Sequence, residues 1–263
     1  MISMSELNSP AAHGADGARR RAIITGGSSG IGLATGAELV RRGYDVVLTA
    51  RRADVLAEAA ESIGARWVAG DCADPEQFAA VVAEAGTVDL LVHAAGVMQG
   101  TFVRKESLAT FESVLRINLT SAFVVTHAAL SAMGAGGRIV MLSSSSAHAP
   151  QPGKSAYSAS KAGLNAFAAA LAKEVERDGI AVHVVTTGPV ATPMLDDVHF
   201  PMMTLRTSDV VDTIAWLDTL APNVVLPEIE VSSVATGPFA PEPFVPEAAA
   251  KLGRTEIGRA EIG

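Results

Sequence analysis

The chain has 263 residues, 49% of them hydrophobic and 18% charged, with a mean hydropathy of +0.31; this bounds it to one large domain or two small ones and excludes disorder along its whole length. A net charge of −8 argues against nucleic acid or an anionic membrane as partner. No run approaches the ~20 uninterrupted apolar residues that span a bilayer, and a single cysteine, Cys72, fits a reducing, cytoplasmic setting.

Residues 1–20 are small, polar and aperiodic, carry no export signal, and read as a flexible N-terminal arm. The arginines at 19–21 are either a solvated start or an anion-binding arm. From residue 22 short apolar runs recur at 22–25, 45–50, 66–69, 88–93, 138–143 and 180–186. Helical spacing fills the gaps at 32–42, 54–63, 75–85, 107–133 and 155–178, and again at 208–220, with Ser208 as its expected N-cap. A last strand is expected at 228–233. Strands without a polar face that alternate with helices predict an α/β fold, a doubly wound parallel sheet covered on both faces. Residues 21–233 thus form one domain. Residues 234–263, rich in proline and alanine, form a C-terminal tail that is either disordered or draped on a neighbouring subunit through Phe239 and Phe244.

Between the first strand and helix stands Thr25-Gly26-Gly27-Ser28-Ser29-Gly30-Ile31-Gly32. Glycines let a backbone approach a ligand, and the helix start offers free N–H groups and positive potential to a pyrophosphate. The second strand ends at Ala50-Arg51-Arg52, where a carboxylate would favour the ribose hydroxyl of NAD and an arginine the 2′-phosphate of NADP. Further on, Tyr157 and Lys161 stand four apart on one helix face. A lysine cation should pull a phenol below its ordinary pKa of about 10, toward useful acid–base chemistry. Ser144 stands at a strand end, thirteen residues before Tyr157; Ser145 is one residue off this spacing. Asn118 lies inside a long apolar-faced helix, where its polar amide needs a reason.

The loop spacing Gly26, Gly30, Gly32 and the Ser144, Tyr157, Lys161 set resemble the short-chain dehydrogenase/reductase family over residues 21–233. The resemblance implies a Rossmann-like fold and NADP(H), bound by Gly26, Ser28, Ser29, Gly30, Ile31, Gly32, Arg51, Arg52, Asp71, Cys72, Ala94, Ala95, Gly96, Tyr157, Lys161, Gly188, Val190 and Thr192. In the family an aspartate at Asp71 meets the adenine amino group. Ser144 would hold the substrate oxygen, Tyr157 move the proton, Lys161 bind the nicotinamide ribose, and Asn118 anchor a water leading to solvent. No metal is called for.

Two residues depart from the family pattern: His93 replaces an asparagine and Thr187 a proline. The expected substrate is a small molecule with a carbonyl or secondary alcohol, and the apolar segment 194–207 suits a hydrophobic or acyl-like one. The closing segment 225–231 looks instead like members that oxidise small 3-hydroxy acids. A weakly catalytic NADP(H) sensor is the competing class. Alanines 166, 169 and 170 suit helix packing in a homodimer or homotetramer.

Overall fold

The computed structural model describes residues 19–196, 198, 202–234 and 244–245. Seven parallel strands stand in the order β3-β2-β1-β4-β5-β6-β7, namely β1 (Arg21–Thr25), β2 (Asp45–Ala50), β3 (Arg66–Ala69), β4 (Leu90–His93), β5 (Arg138–Ser144), β6 (Ala181–Thr187) and β7 (Glu228–Val231). The helices are α1 (Gly30–Arg41), α2 (Ala53–Ile63), α3 (Pro75–Ala85), α4 (Leu108–Leu115), α5 (Ser121–Leu130), α6 (Ser155–Glu174) and α7 (Thr207–Leu217).

Why the strands read as unbroken apolar runs is plain from their two faces. Ile23, Val47, Leu91, Ile139, Met141, Val182 and Val184 pack on the side of α3, α5 and α6. Their neighbours Ala22, Ile24, Val46, Leu48, Leu90, Val92, Val140 and Val185 pack on the opposite side, with Leu39 of α1, Leu56 of α2 and Ile214 of α7. Alternate residues therefore enter two separate cores, and the one charge buried in these strands, Arg138 at the start of β5, donates to the Leu220 and Ala221 carbonyls. Chain order reverses between β1 and β4, which opens a crevice at the carboxyl ends of the strands.

The expected single helix at 107–133 is three pieces. A π-helical turn, Arg116–Thr120, separates α4 from α5 and inserts one extra residue into the coil. By length and composition Leu108–Leu130 could cross a bilayer. Here its pieces pack against α3 and α6 and bury Asn118, Ser121 and Thr126. The last helix begins at Thr207, so Ser208 does not cap it; the Asp209 carboxylate accepts from the Arg206 N–H at 2.8 Å instead. Asp74 does cap α3, accepting from the N–H groups of Glu76 (3.0 Å) and Gln77 (3.1 Å).

Two of the leading arginines are anchored. Arg20 pairs with Asp218 at 3.0 Å, and the Arg21 N–H donates to the Asp89 carboxylate at 2.7 Å. In the tail, Phe239 lies outside the described residues. Phe244 meets its own chain: its N–H donates to the Met202 carbonyl (2.8 Å), and the Met202 N–H donates back (3.1 Å).

Candidate active site

A cleft of about 720 Å³ runs along the carboxyl edge of the sheet. Every residue expected in the site lines it except Asn118, which is fully buried.

The glycine turn is a cradle that side chains would fill. A Cβ on Gly32 would sit 2.3 Å from the Gly26 carbonyl oxygen, and one on Gly26 would sit 2.9 Å from the Ala95 nitrogen. Gly26 and Gly30 have φ of 68° and 55°, where L side chains are strained. Ser29, the N-cap of α1, makes no side-chain cap bond and the first turn holds no acidic residue. The N–H groups there face the cleft uncapped, as an anion site needs. These features fit a dinucleotide pyrophosphate.

Arg51 and Arg52 follow β2, are exposed, and line the cleft. Across from them Asp71 lies in an ion pair with Arg116 (2.8 Å), and its other oxygen accepts from the Ala73 N–H (2.9 Å). Burial raises the Asp71 carboxyl pKa, but these bonds and the charges of Arg116 and Arg51 hold it below the ordinary value overall. Cys72 is half-buried against the core, and burial pushes its thiol up.

Ser144 ends β5, and Tyr157 and Lys161 face it from the first turns of α6. Burial raises the phenol of Tyr157 above its ordinary value, and the nearby Ser144 hydroxyl offsets only part of that rise. The Lys161 ammonium is buried and brought down to about 8, and it donates to the Leu142 carbonyl at 2.8 Å. Its nitrogen lies 5.9 Å from the Tyr157 ring centre. In the protein without a dinucleotide, burial thus outweighs what lowers the phenol, and Tyr157 stays protonated near neutrality.

Asn118 sits in the π turn behind Gly96. Its amide clamps Val97, accepting from the N–H at 2.8 Å and donating to the carbonyl at 2.9 Å, and it also donates to Ser160 at 3.0 Å. The π turn supplies the reason that this buried amide needed, because it carries the side chain to the end of β4. Thr187 continues β6 in register with Ser144 and Val231, using a backbone position that a proline would not serve as donor. Gly188 donates to the Val231 carbonyl at 3.0 Å, and the Thr192 hydroxyl to the Val190 carbonyl at 3.3 Å.

Sequence reasoning did not single out Val97, Met98, Gln151 and Lys154, which line the cleft; Met194, Leu195 and Met202 of the apolar segment line it as expected. Only the helical spacing 154, 157, 161 would have pointed to Lys154. The partner that Arg116 provides for Asp71 was also missed, since it depends on a contact across the fold.

Residues 20–200 match the family model described as short chain dehydrogenase. The acetoacetyl-CoA reductase of Cupriavidus necator is 36% identical over 67% of this chain and 77% of that protein. Among solved structures, a dehydrogenase/reductase from Sinorhizobium meliloti superposes with a TM-score of 0.76 at 28% identity, covering 88% of this chain and 98% of that one. A short chain dehydrogenase from Burkholderia cenocepacia, solved in complex with NADP, gives a TM-score of 0.73 at 29% identity over 81% and 95%. With a seven-stranded parallel sheet, a glycine cradle under its crevice and these matches, the chain belongs to the short-chain dehydrogenase family.

Proposed function

We propose that the chain catalyses reversible oxidoreduction of a carbonyl/secondary alcohol pair with NADP(H), and that Tyr157 is its acid–base. When bound, the dinucleotide supplies or accepts the hydride. The glycine turn and the start of α1 hold its pyrophosphate. Arg51 and Arg52 have no ion-pair partner among the described residues, and no carboxylate ends β2, which suits a 2′-phosphate. Ala94 to Gly96 and the Gly188 to Thr192 segment flank the rest.

In the reducing direction Ser144 and Tyr157 donate hydrogen bonds to the carbonyl oxygen, and Tyr157 gives up its proton as the alcohol forms. Lys161 supplies positive charge that stabilises the phenolate left behind and positions the ribose. Asn118 acts from behind, fixing the strand end against which Lys161 lies, and opens the route by which a proton returns from solvent. One observation carries this reading: a buried phenol, Tyr157, and a buried lysine, Lys161, line the same cleft as the Ser144 hydroxyl.

The test is NADPH absorbance decay with a panel of ketones, aldehydes and ketoesters, run beside Tyr157→Phe. The variant should bind NADPH normally and lose about 10²–10⁴-fold in turnover. Tight NADPH binding by the wild-type protein without turnover of any substrate would favour a sensor instead. Substantial activity in the variant would overturn the assignment of Tyr157.

A second reading, oxidation of a small 3-hydroxy acid, draws on Lys154. It lines the same wall as Tyr157, whereas Asp71, on the far side near Arg51, is the one carboxylate residue among those lining the cleft. A keto acid turned over far better than its ester would favour this reading. The single cysteine suits a cytoplasmic protein. The exposed Ala166, Ala169 and Ala170 on α6, beside Phe123 of α5 at 54% exposure, suit a homodimer or homotetramer packed through these helices.

A further inference from the structure

His93, at the end of β4, is fully buried among the elements that frame the cleft, yet the proposed chemistry does not use it. Its Nδ1 lies 3.0 Å from the Thr25 hydroxyl and its Nε2 lies 3.2 Å from the Ser121 hydroxyl. The protons around it can be assigned one by one. The Ser121 hydroxyl gives its only proton to the Ile117 carbonyl, which cannot donate in return. Its oxygen therefore accepts from His93, and the imidazole carries its proton on Nε2. Nδ1 is then bare and accepts the Thr25 hydroxyl proton. That leaves the Thr25 oxygen free to accept two backbone N–H groups, those of Ala94 at 3.1 Å and Ala95 at 3.0 Å. A second proton on the ring would put one donor too many between His93 and Thr25.

We propose that His93, as a neutral imidazole protonated on Nε2, is a positioning residue that ties the glycine turn beneath the cofactor to the start of α5 behind the π turn. Through Thr25 it holds the Ala94–Ala95 backbone against Gly26, where the two segments are already too close for a side chain. Through Ser121 it fixes the end of the turn that carries Asn118, whose amide clamps Val97 four residues beyond His93. Both edges of the floor under the dinucleotide are thereby set by one side chain. The inference rests on the NADP(H) reading above, because its consequence is measured as NADPH affinity.

Two measurements test it. In the free wild-type protein, ¹⁵N-detected imidazole resonances should show His93 with a protonated Nε2 and a bare Nδ1 between pH 5 and 8. The opposite tautomer, or a doubly protonated ring, overturns the proposal without touching the enzyme assignment. In binding titrations, His93→Leu should weaken NADPH about tenfold. His93→Asn, whose amide oxygen takes the place of Nδ1 toward Thr25, should recover most of that loss. NADPH affinity within twofold of wild type in His93→Leu, with only a lowered melting temperature, would show a merely structural residue and overturn it. Should His93→Leu not fold, His93→Asn decides jointly with the resonances: a tenfold loss of affinity in that variant counts against the Thr25 arm. A wild-type protein that binds no NADPH would sink the cofactor reading itself, a result distinct from either of these.

Discussion

At the scale of single residues, titration behaviour follows from burial. Burial, with the charge of Lys161 adding to it, brings the His93 imidazole from 6.5 down to about 3. The sign follows directly: the unfolded chain takes up a proton at His93 as pH falls through 6.5, while the folded chain does not until about pH 3. The stability this group contributes is complete above 6.5 and is lost progressively down to 3, reaching about 2 kcal/mol by pH 5. His93→Asn should remove that share of the acid sensitivity, read as a smaller drop in urea midpoint between pH 7 and pH 5. Cofactor choice is argued at the same scale. Ala50→Asp combined with Arg51→Ala places a carboxylate where a phosphate would sit and removes a guanidinium, so the double variant should prefer NADH. An unchanged NADPH/NADH ratio in steady-state kinetics would remove Arg51 from the cofactor set. The residues that line the cleft at strand ends were legible in the sequence because most stand beside a glycine or serine cluster, and Arg51 and Arg52 because they end the second strand about 20 residues after the glycine loop. The burial that raises the Tyr157 phenol was not, because desolvation is set by residues from distant segments.

At the scale of elements, the proposed function rests on the turn between β1 and α1 and on the π turn between α4 and α5. Gly32→Ala drives a methyl group into the Gly26 carbonyl, so the turn must open; NADPH affinity should drop at least about tenfold with the far-UV spectrum unchanged. Asn118→Ala leaves the Val97 N–H and carbonyl without their partner, and each unsatisfied buried group costs about 1–3 kcal/mol. A destabilisation within that range in urea unfolding, together with a fall in turnover, is the expected outcome. The apolar spacing announced a single helix over 107–133, where the structure has α4, the π turn and α5. It did not announce the extra residue, because α5 is apolar on most of its faces (Ala122, Val124, Val125 and Ala129 are buried), so the change of phase leaves no mark in the pattern. The N-terminus of α7 was misread for a similar reason: a serine resembles a cap wherever it precedes a helical stripe, and only the reach of Asp209 back to Arg206 decides the start.

For the whole molecule, the alternation of apolar runs with helical stripes was sufficient to foresee the layers and the parallel sheet. The strand order and the crevice between β1 and β4 came only with the structure. What the alternation leaves out is which segments far apart in the chain share a wall. Association is expected through α5 and α6, so Ala166→Glu should shift the protein to monomer in light scattering while its melting temperature stays nearly constant.

The pairing of Met202 with Phe244 reaches further than its two hydrogen bonds suggest. It ties Met202, which lines the cleft, to Phe244, thirteen residues beyond the end of the last strand, so the geometry of that part of the cleft is co-authored by a residue outside the sheet. Selectivity for bulkier or smaller ketones can then drift through changes after Ser233 while hydride chemistry stays intact. Ending the chain at Ser233 should accordingly change the ranking of substrates by KM and leave NADPH affinity as it was, and a purification tag fused behind Phe244 belongs among the variables of any substrate screen.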